Sequence, residues 1–126
     1  MQTRVLLSIK PKFAEKIFAG SKRYEFRRVV FRSQAVSKII VYASSPIQRI
    51  IGEFEVREVL ALQKDKLWKK TRGEGGIEKK HFDLYFHGCE MAYAIKVSSP
   101  RRYSQPLKLS ELCSFTRPPQ SFRYIR

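Results

Sequence analysis

Apolar residues along this chain change their spacing several times, and each change marks an element. Residues 4–9 read as a first strand, and Ala14, Ile17 and Phe18 then recur at helical spacing. Pro11 can open a helix because a first-turn residue has no intrahelical N–H bond to lose, and Gly20 supplies the left-handed residue that ends one. From Lys22 to Arg28 the pattern alternates, with Tyr24 and Phe26 on one face and Arg23, Glu25 and Arg27 on the other, so a short strand is expected. After a mixed connection over residues 29–37, Ile39-Ile40-Val41-Tyr42 is a β-branched run of the kind buried on both faces. Residues 49–60 alternate again, Phe54 and Val56 against Glu53, Glu55 and Arg57. Asp65 reads as the cap of a helix running through Leu67 and Trp68 to Arg72, and Gly73, Gly75 and Gly76 interrupt it as a flexible joint. Ile77, His81, Leu84 and Tyr85 then follow helical spacing up to Gly88; residues 91–97 alternate as a strand, a short helix starts near Ser110, and residues 122–125 close the set as a last strand. Strands and helices in this order give an α+β fold, and the length and the apolar fraction of 43% suit one core in one domain over residues 1–126.

Charge narrows the partners. With 26 Lys and Arg against 11 Asp and Glu, the chain carries a formal net charge of +15 on 126 residues. Such a field favours polyanions, because neutralised phosphates release counterions and the field steers association. A merely solubilising surface is the plainer alternative. No segment approaches the roughly twenty apolar residues a membrane span needs, and the amino terminus shows no long apolar core, so no membrane partner is expected. Cys89 and Cys113 are far apart and outside any metal-binding spacing, which points to reduced thiols and a cytoplasmic setting. His81 and His87 stand six apart, which does not put them on one helical face, so neither a metal nor a cofactor is expected. The glycines at 73, 75 and 76 follow a basic helix rather than a strand, which a phosphate-binding loop would require.

The richest segment is Gly20-Ser21-Lys22-Arg23-Tyr24-Glu25-Phe26-Arg27, where a glycine turn is followed by unlike charges. It resembles the signature of the ASCH domain, a module of the PUA-like superfamily. Leu7-Ser8-Ile9-Lys10-Pro11, Val41-Tyr42-Ala43-Ser44-Ser45-Pro46, Ile51-Gly52-Glu53-Phe54 and Pro118-Pro119-Gln120-Ser121-Phe122 resemble further blocks of that family in the same order. The resemblance spans nearly the whole chain. It implies a small mixed β-barrel, the PUA-like pseudo-barrel, with flanking helices and a charged cleft, and a role in binding RNA or modified nucleosides.

Under that resemblance, Lys10, Lys22, Arg27 and Arg28 are candidates to hold phosphate, joined by Arg23 and by Lys69 and Lys70 from the basic residues between positions 64 and 80. Glu25 is a candidate to accept from a base edge or to fix the neighbouring cations, and Ser44, Ser45 and Ser121 are short donors at the cleft's rim. Trp68, Tyr85 and Tyr103 are available to stack on bases, or to pack in the core. If the protein is an enzyme, Lys22 and Glu25 are the catalytic candidates. A bacterial ASCH enzyme that deacetylates N4-acetylcytidine uses a lysine, a threonine and a glutamate. Lys22 matches the lysine, Glu25 stands in the threonine's place, and Glu74 lies nearest to the glutamate. RNA binding, ribonuclease or amidohydrolase activity, and a protein-binding module with an acidic partner all stay open at this point. Exposed strand charges also form ion pairs contributing under about 1 kcal/mol without any further purpose, so Lys22, Glu25 and Arg27 admit that reading too. Strict pleating puts Lys22 opposite Glu25, so joint action requires Lys22 to lie in the turn after Gly20 rather than in the strand.

Overall fold

The computed structural model describes residues 3–114 and 117–125. The chain opens with strand β1 (Thr3–Ile9), helix α1 (Pro11–Ala19) and strand β2 (Tyr24–Arg27), followed by β3 (Val36–Ala43) and the long β4 (Arg49–Gln63). Helices α2 (Lys64–Thr71) and α3 (Lys79–Tyr85) lead to β5 (Met91–Leu107), α4 (Leu109–Leu112) and β6 (Phe122–Ile125). All six strands join one sheet in the order β2-β5-β4-β3-β1-β6. β1 and β3 run parallel and the other neighbours antiparallel.

This sheet corrects the expected barrel. β2 pairs with β5 alone, through Tyr93 to Lys96, and β6 pairs with β1 alone, through Arg4 to Leu7, so the two short edge strands do not meet. The last strand lengthens the sheet at one edge instead of closing it. The central strands are buried on both faces. Val5, Leu7, Ile9, Ile39, Val41 and Phe54 pack under α1 with Ala14 and Ile17, whereas Leu6, Ile40, Tyr42 and Ile50 pack on the other side with Leu109 and Ile125. A third cluster fills the space between α2, α3 and the sheet with Phe26, Leu67, Phe82, Phe86, Ala92 and Ala94.

Two element boundaries differ from expectation for physical reasons. β5 continues through Ser99 and Pro100 to Leu107, beyond the strand expected over residues 91–97, because the long antiparallel ladder with β4 absorbs the break as register shifts, and Ser99 takes a positive φ of 48°. Asp65 sits in the first turn of α2 and Gln63 precedes it as the capping position, with no side-chain cap hydrogen bond; an early carboxylate still complements the helix dipole. No helix among the described residues is long and apolar enough to cross a membrane.

Candidate functional site

The end of α1 sets the position of Lys22. Gly20 adopts φ 87°, and its N–H donates back to Ile17 O, while the N–H groups of Ser21 and Lys22 both donate to Lys16 O. The Arg23 N–H then donates to Glu74 O at 2.7 Å, and its carbonyl accepts from the Val97 N–H at 2.9 Å. Lys22 is thus held in the turn, two residues before β2, and its side chain enters the protein with 2% exposure. The ammonium donates to Gly75 O at 2.6 Å, stands 3.9 Å from Glu25 Oε1, and lies 4.8 Å and 5.1 Å from the ring centroids of Phe26 and Phe13. Burial pulls its pKa below the ordinary lysine range; the Glu25 carboxylate opposes that shift and the Lys16 charge adds to it.

The loop over Lys22 is bare by necessity. A Cβ at Gly75 would lie 2.7 Å from the Phe26 ring and one at Gly76 would lie 2.8 Å from Lys22 Cβ, so any side chain would lift the loop off the lysine.

Glu25, also buried, is shared between two cations. Arg27 Nη1 donates to Glu25 Oε2 and to Ser8 O, both at 3.3 Å, and Arg27 Nη2 donates to Ser121 O at 3.0 Å. Three of the five N–H bonds of this guanidinium are engaged by these contacts, so Arg27 ties β2 to the end of β1 and to the segment before β6. Arg28 is exposed and stacks its guanidinium 4.9 Å from the centroid of Tyr85, whose phenol is pushed up in pKa chiefly by burial.

These groups line a cleft of about 510 Å³. Lys22, Glu25 and Phe26 form its floor, Lys10, Lys12 and Arg28 bring positive charge to it, and His81, Leu84 and Tyr85 approach from α3. Ser8, Arg27 and Gln120 complete one wall, where Ser8 Oγ donates to Pro119 O at 2.7 Å. Among the described residues, no cluster of His, Cys, Asp and Glu is suited to a metal ion.

Of the residues singled out from the sequence, Lys10, Lys22, Glu25, Arg27 and Arg28 are brought together around this cleft, and Ser121 joins through its backbone carbonyl. Others lie apart. Ser44 and Ser45 stand at the end of β3, where the Ser44 N–H donates to Ile9 O, and neither lines the cleft. Arg23 is exposed outside it, as are Lys69 and Lys70 in the last turn of α2. Glu74 is exposed, contributes its carbonyl to Arg23, and is not a wall residue. Lys22 and Glu25 are not the exposed strand charges of the plainer reading: at 2% and 5% exposure they form a buried pair. Sequence reasoning did not find Phe13, Leu84 or Gln120, and it weighed His81 only as a metal ligand. The signal for His81 and Leu84 was present, because Ile77, His81, Leu84 and Tyr85 share one stripe and all four line the cleft, while Phe82 and Phe86 face the core.

A six-stranded mixed sheet with a charged cleft between α1, α3 and an edge strand defines a small α+β module. The family model of the ASCH domain matches residues 7–101, and the chain belongs to that family. The chain is 28% identical to an ASCH domain-containing ribonuclease of Zymomonas mobilis over 96% of its own length and 83% of that protein's. The crystal structure of ASCH from Zymomonas mobilis superposes with a TM-score of 0.89 at 28% identity, covering 98% of this chain and 87% of that one. The large ribosomal subunit protein uL22 of Ureaplasma parvum is 27% identical over 97% of this chain, which spans 39% of that protein's length.

Proposed function

We propose that this protein binds single-stranded RNA, receiving a nucleotide in the cleft above Lys22 and Glu25. The observation that carries the reading is the buried pair of Lys22 and Glu25, with the half-buried Arg27 beside it, at the floor of a cavity whose mouth is basic. Buried charge is costly, and a charged pair whose titration is perturbed at the floor of a cleft marks a candidate functional site. The 510 Å³ cleft falls within the roughly 300–1,000 Å³ typical of small-molecule sites, and its aromatic and aliphatic walls suit a base. In this reading Lys10, Lys12 and Arg28 meet phosphate oxygens. Glu25 accepts from a base N–H, and Tyr85 and Leu84 flank the ring. The relative named as a ribonuclease supports RNA as the polyanion.

Salt titration tests it. Single strands lose affinity with a log–log slope of about 0.7 per neutralised phosphate, so three cations at the mouth contribute a slope of about 2. Replacing Lys10, Lys12 and Arg28 together by Ala is expected to lower the slope by that amount, and an unchanged slope would sink the assignment.

Ribonuclease activity is the second reading, and it is favoured by the depressed pKa of Lys22 beside Glu25, with His81 on the same cleft. Glu25 takes the proton of a ribose 2′-hydroxyl, O2′ attacks the adjacent phosphorus, and the bond from phosphorus to O5′ breaks. Lys22 or His81 gives a proton to the departing O5′, and the products carry a 2′,3′-cyclic phosphate and a 5′-hydroxyl. Glu25→Gln keeps shape and loses the base, so turnover is expected to fall on the order of a hundredfold while RNA affinity changes only severalfold. Unchanged turnover in that variant removes Glu25 from the chemistry.

A further inference from the structure

The cleft has a neighbour. A second cavity of about 310 Å³ is walled by Lys16, Trp68, Gly75, Gly76, Ile77 and Glu78, with Thr71 and Gly73 beneath them. Ile77 belongs to both cavities, and between them runs the bare loop at Gly75 and Gly76. Gly75 and Gly76 line the second cavity and lie against Phe26 and Lys22, which line the first.

The two sides are built alike. On the cleft side Lys22 Nζ donates to Gly75 O at 2.6 Å, and on the far side Lys16 Nζ donates to the next carbonyl, Gly76 O, at 3.1 Å. Tyr85 stands on one side and Trp68, the chain's single tryptophan, on the other. Trp68 is half-buried; the Phe82 ring holds it from within, centroid to centroid 5.1 Å, and part of the indole is left to the cavity. Lys16 differs from Lys22 in being exposed, so it can exchange its carbonyl for an incoming anion at little cost. An aromatic platform in each cavity with an exposed cation at the partition matches one repeating chemistry. Successive nucleotides present a flat base, an anionic link, and a flat base. Glu78 offers its carboxylate to a base's exocyclic amine and disfavours a second phosphate there.

We infer that the second cavity is a stacking subsite for the nucleotide that adjoins the one in the cleft, with Trp68 as the platform and Lys16 as the contact to the intervening phosphate. The inference rests on the RNA reading of the cleft and adds to it a path: the strand crosses the loop at Gly75 and Gly76 from one cavity to the other.

Tryptophan emission tests this directly, because only Trp68 reports. Adenosine and uridine 5′-monophosphates are expected to bind without changing the emission, whereas tetra-adenylate and tetra-uridylate quench it and bind at least roughly tenfold more tightly. Trp68→Leu is expected to weaken tetranucleotide binding roughly 5- to 150-fold and to leave the mononucleotides unchanged. If that variant fails to fold, Lys16→Ala decides together with the parent's quenching; its exposed position spares the fold, and a severalfold loss confined to tetranucleotides is expected. Tetranucleotide binding with neither quenching nor a Lys16 effect overturns the second subsite and leaves the cleft reading standing. Quenching by mononucleotides also overturns it, since the first nucleotide would then sit at Trp68. If nothing binds at low salt, the cleft reading falls as well.

Discussion

Two carboxylates of this sheet hold cations, and they hold them on opposite terms. Glu53 on β4 accepts from Lys38 Nζ at 2.9 Å, Arg101 Nη2 at 3.0 Å and the Tyr103 hydroxyl at 2.8 Å. All three partners are side chains, from the residue paired with Glu53 on β5 or within two residues of its partners on β3 and β5, and the cations reach water with 31% and 65% side-chain exposure. Glu25 on β2 instead shares Lys22 and Arg27, whose side chains are 2% and 11% exposed and which also donate to the carbonyls of Gly75, Ser8 and Ser121. The first cluster closes on itself and fastens three strands. The second is tied to the backbone around it and faces a cavity. Buried charge adds little to stability and is often costly, and the proposed binding role would account for its presence beneath a cleft, while the cluster at Glu53 needs no purpose beyond the sheet.

The sharpest way to break this contrast is to remove the lysine from each cluster. Lys22→Met fills the same space between the Phe13 and Phe26 rings, at the cost of leaving Gly75 O without its donor, about 1–3 kcal/mol, and the buried Glu25 carboxylate with Arg27 as its remaining cation. RNA affinity is expected to fall roughly 10- to 100-fold, the usual worth of a charged hydrogen bond. Lys38→Met is expected to leave affinity within about twofold, because exposed pairs contribute about 1 kcal/mol or less and this one is remote from the cleft lining. Fluorescence anisotropy with a labelled single strand measures both. Equal losses would mean that the basic surface as a whole, rather than the cleft, holds RNA.

Part of this contrast was legible in the sequence. Pro11, the apolar spacing over Ala14, Ile17 and Phe18, and Gly20 mark α1 because they are local signals, and the bounds of the helix follow from them. The burial of Lys22 is not local. It depends on a loop 53 residues further on, between α2 and α3, whose two glycines lie on the lysine. The stripe of Ile77, His81, Leu84 and Tyr85 shows a different limit: periodicity reveals that a face is special without telling whether core or cavity lies in front of it. Charge counting errs in the same way, since Lys69 and Lys70 belong to the same basic excess as Lys10 and Arg28 yet lie off the cleft. The open sheet was also beyond reach, because whether a four-residue edge strand closes a barrel depends on sheet twist and not on its own residues.

The smallest expected effect is the dependence of stability on pH, and its sign separates the two clusters. Burial by itself would raise the Glu53 pKa, but the hydrogen bonds from Lys38 and Tyr103 and the charges of Lys38 and Arg101 outweigh it and hold the carboxyl below its usual range. A carboxyl depressed in the folded state contributes stability that is complete above its unfolded value and is lost as pH falls through the folded one. Tyr103, raised to about 12 by burial and by its bond to Glu53, contributes stability that is present below the ordinary tyrosine value and is lost as pH rises toward about 12. Lys22 runs the other way from Tyr103. Its depressed pKa means that the unfolded chain binds the proton more readily, so stability rises with pH between the lowered value and the ordinary lysine value of 10.5. Chemical denaturation at a series of pH values checks all three. Glu53→Gln is expected to differ from the parent by about 1 kcal/mol or less at neutral pH, with the difference shrinking in acid. Lys22→Met is expected to lose the alkaline rise and leave the acid limb unchanged. An acid limb that changes in Lys22→Met but not in Glu53→Gln would mean that the acid dependence of stability does not come from the Glu53 cluster.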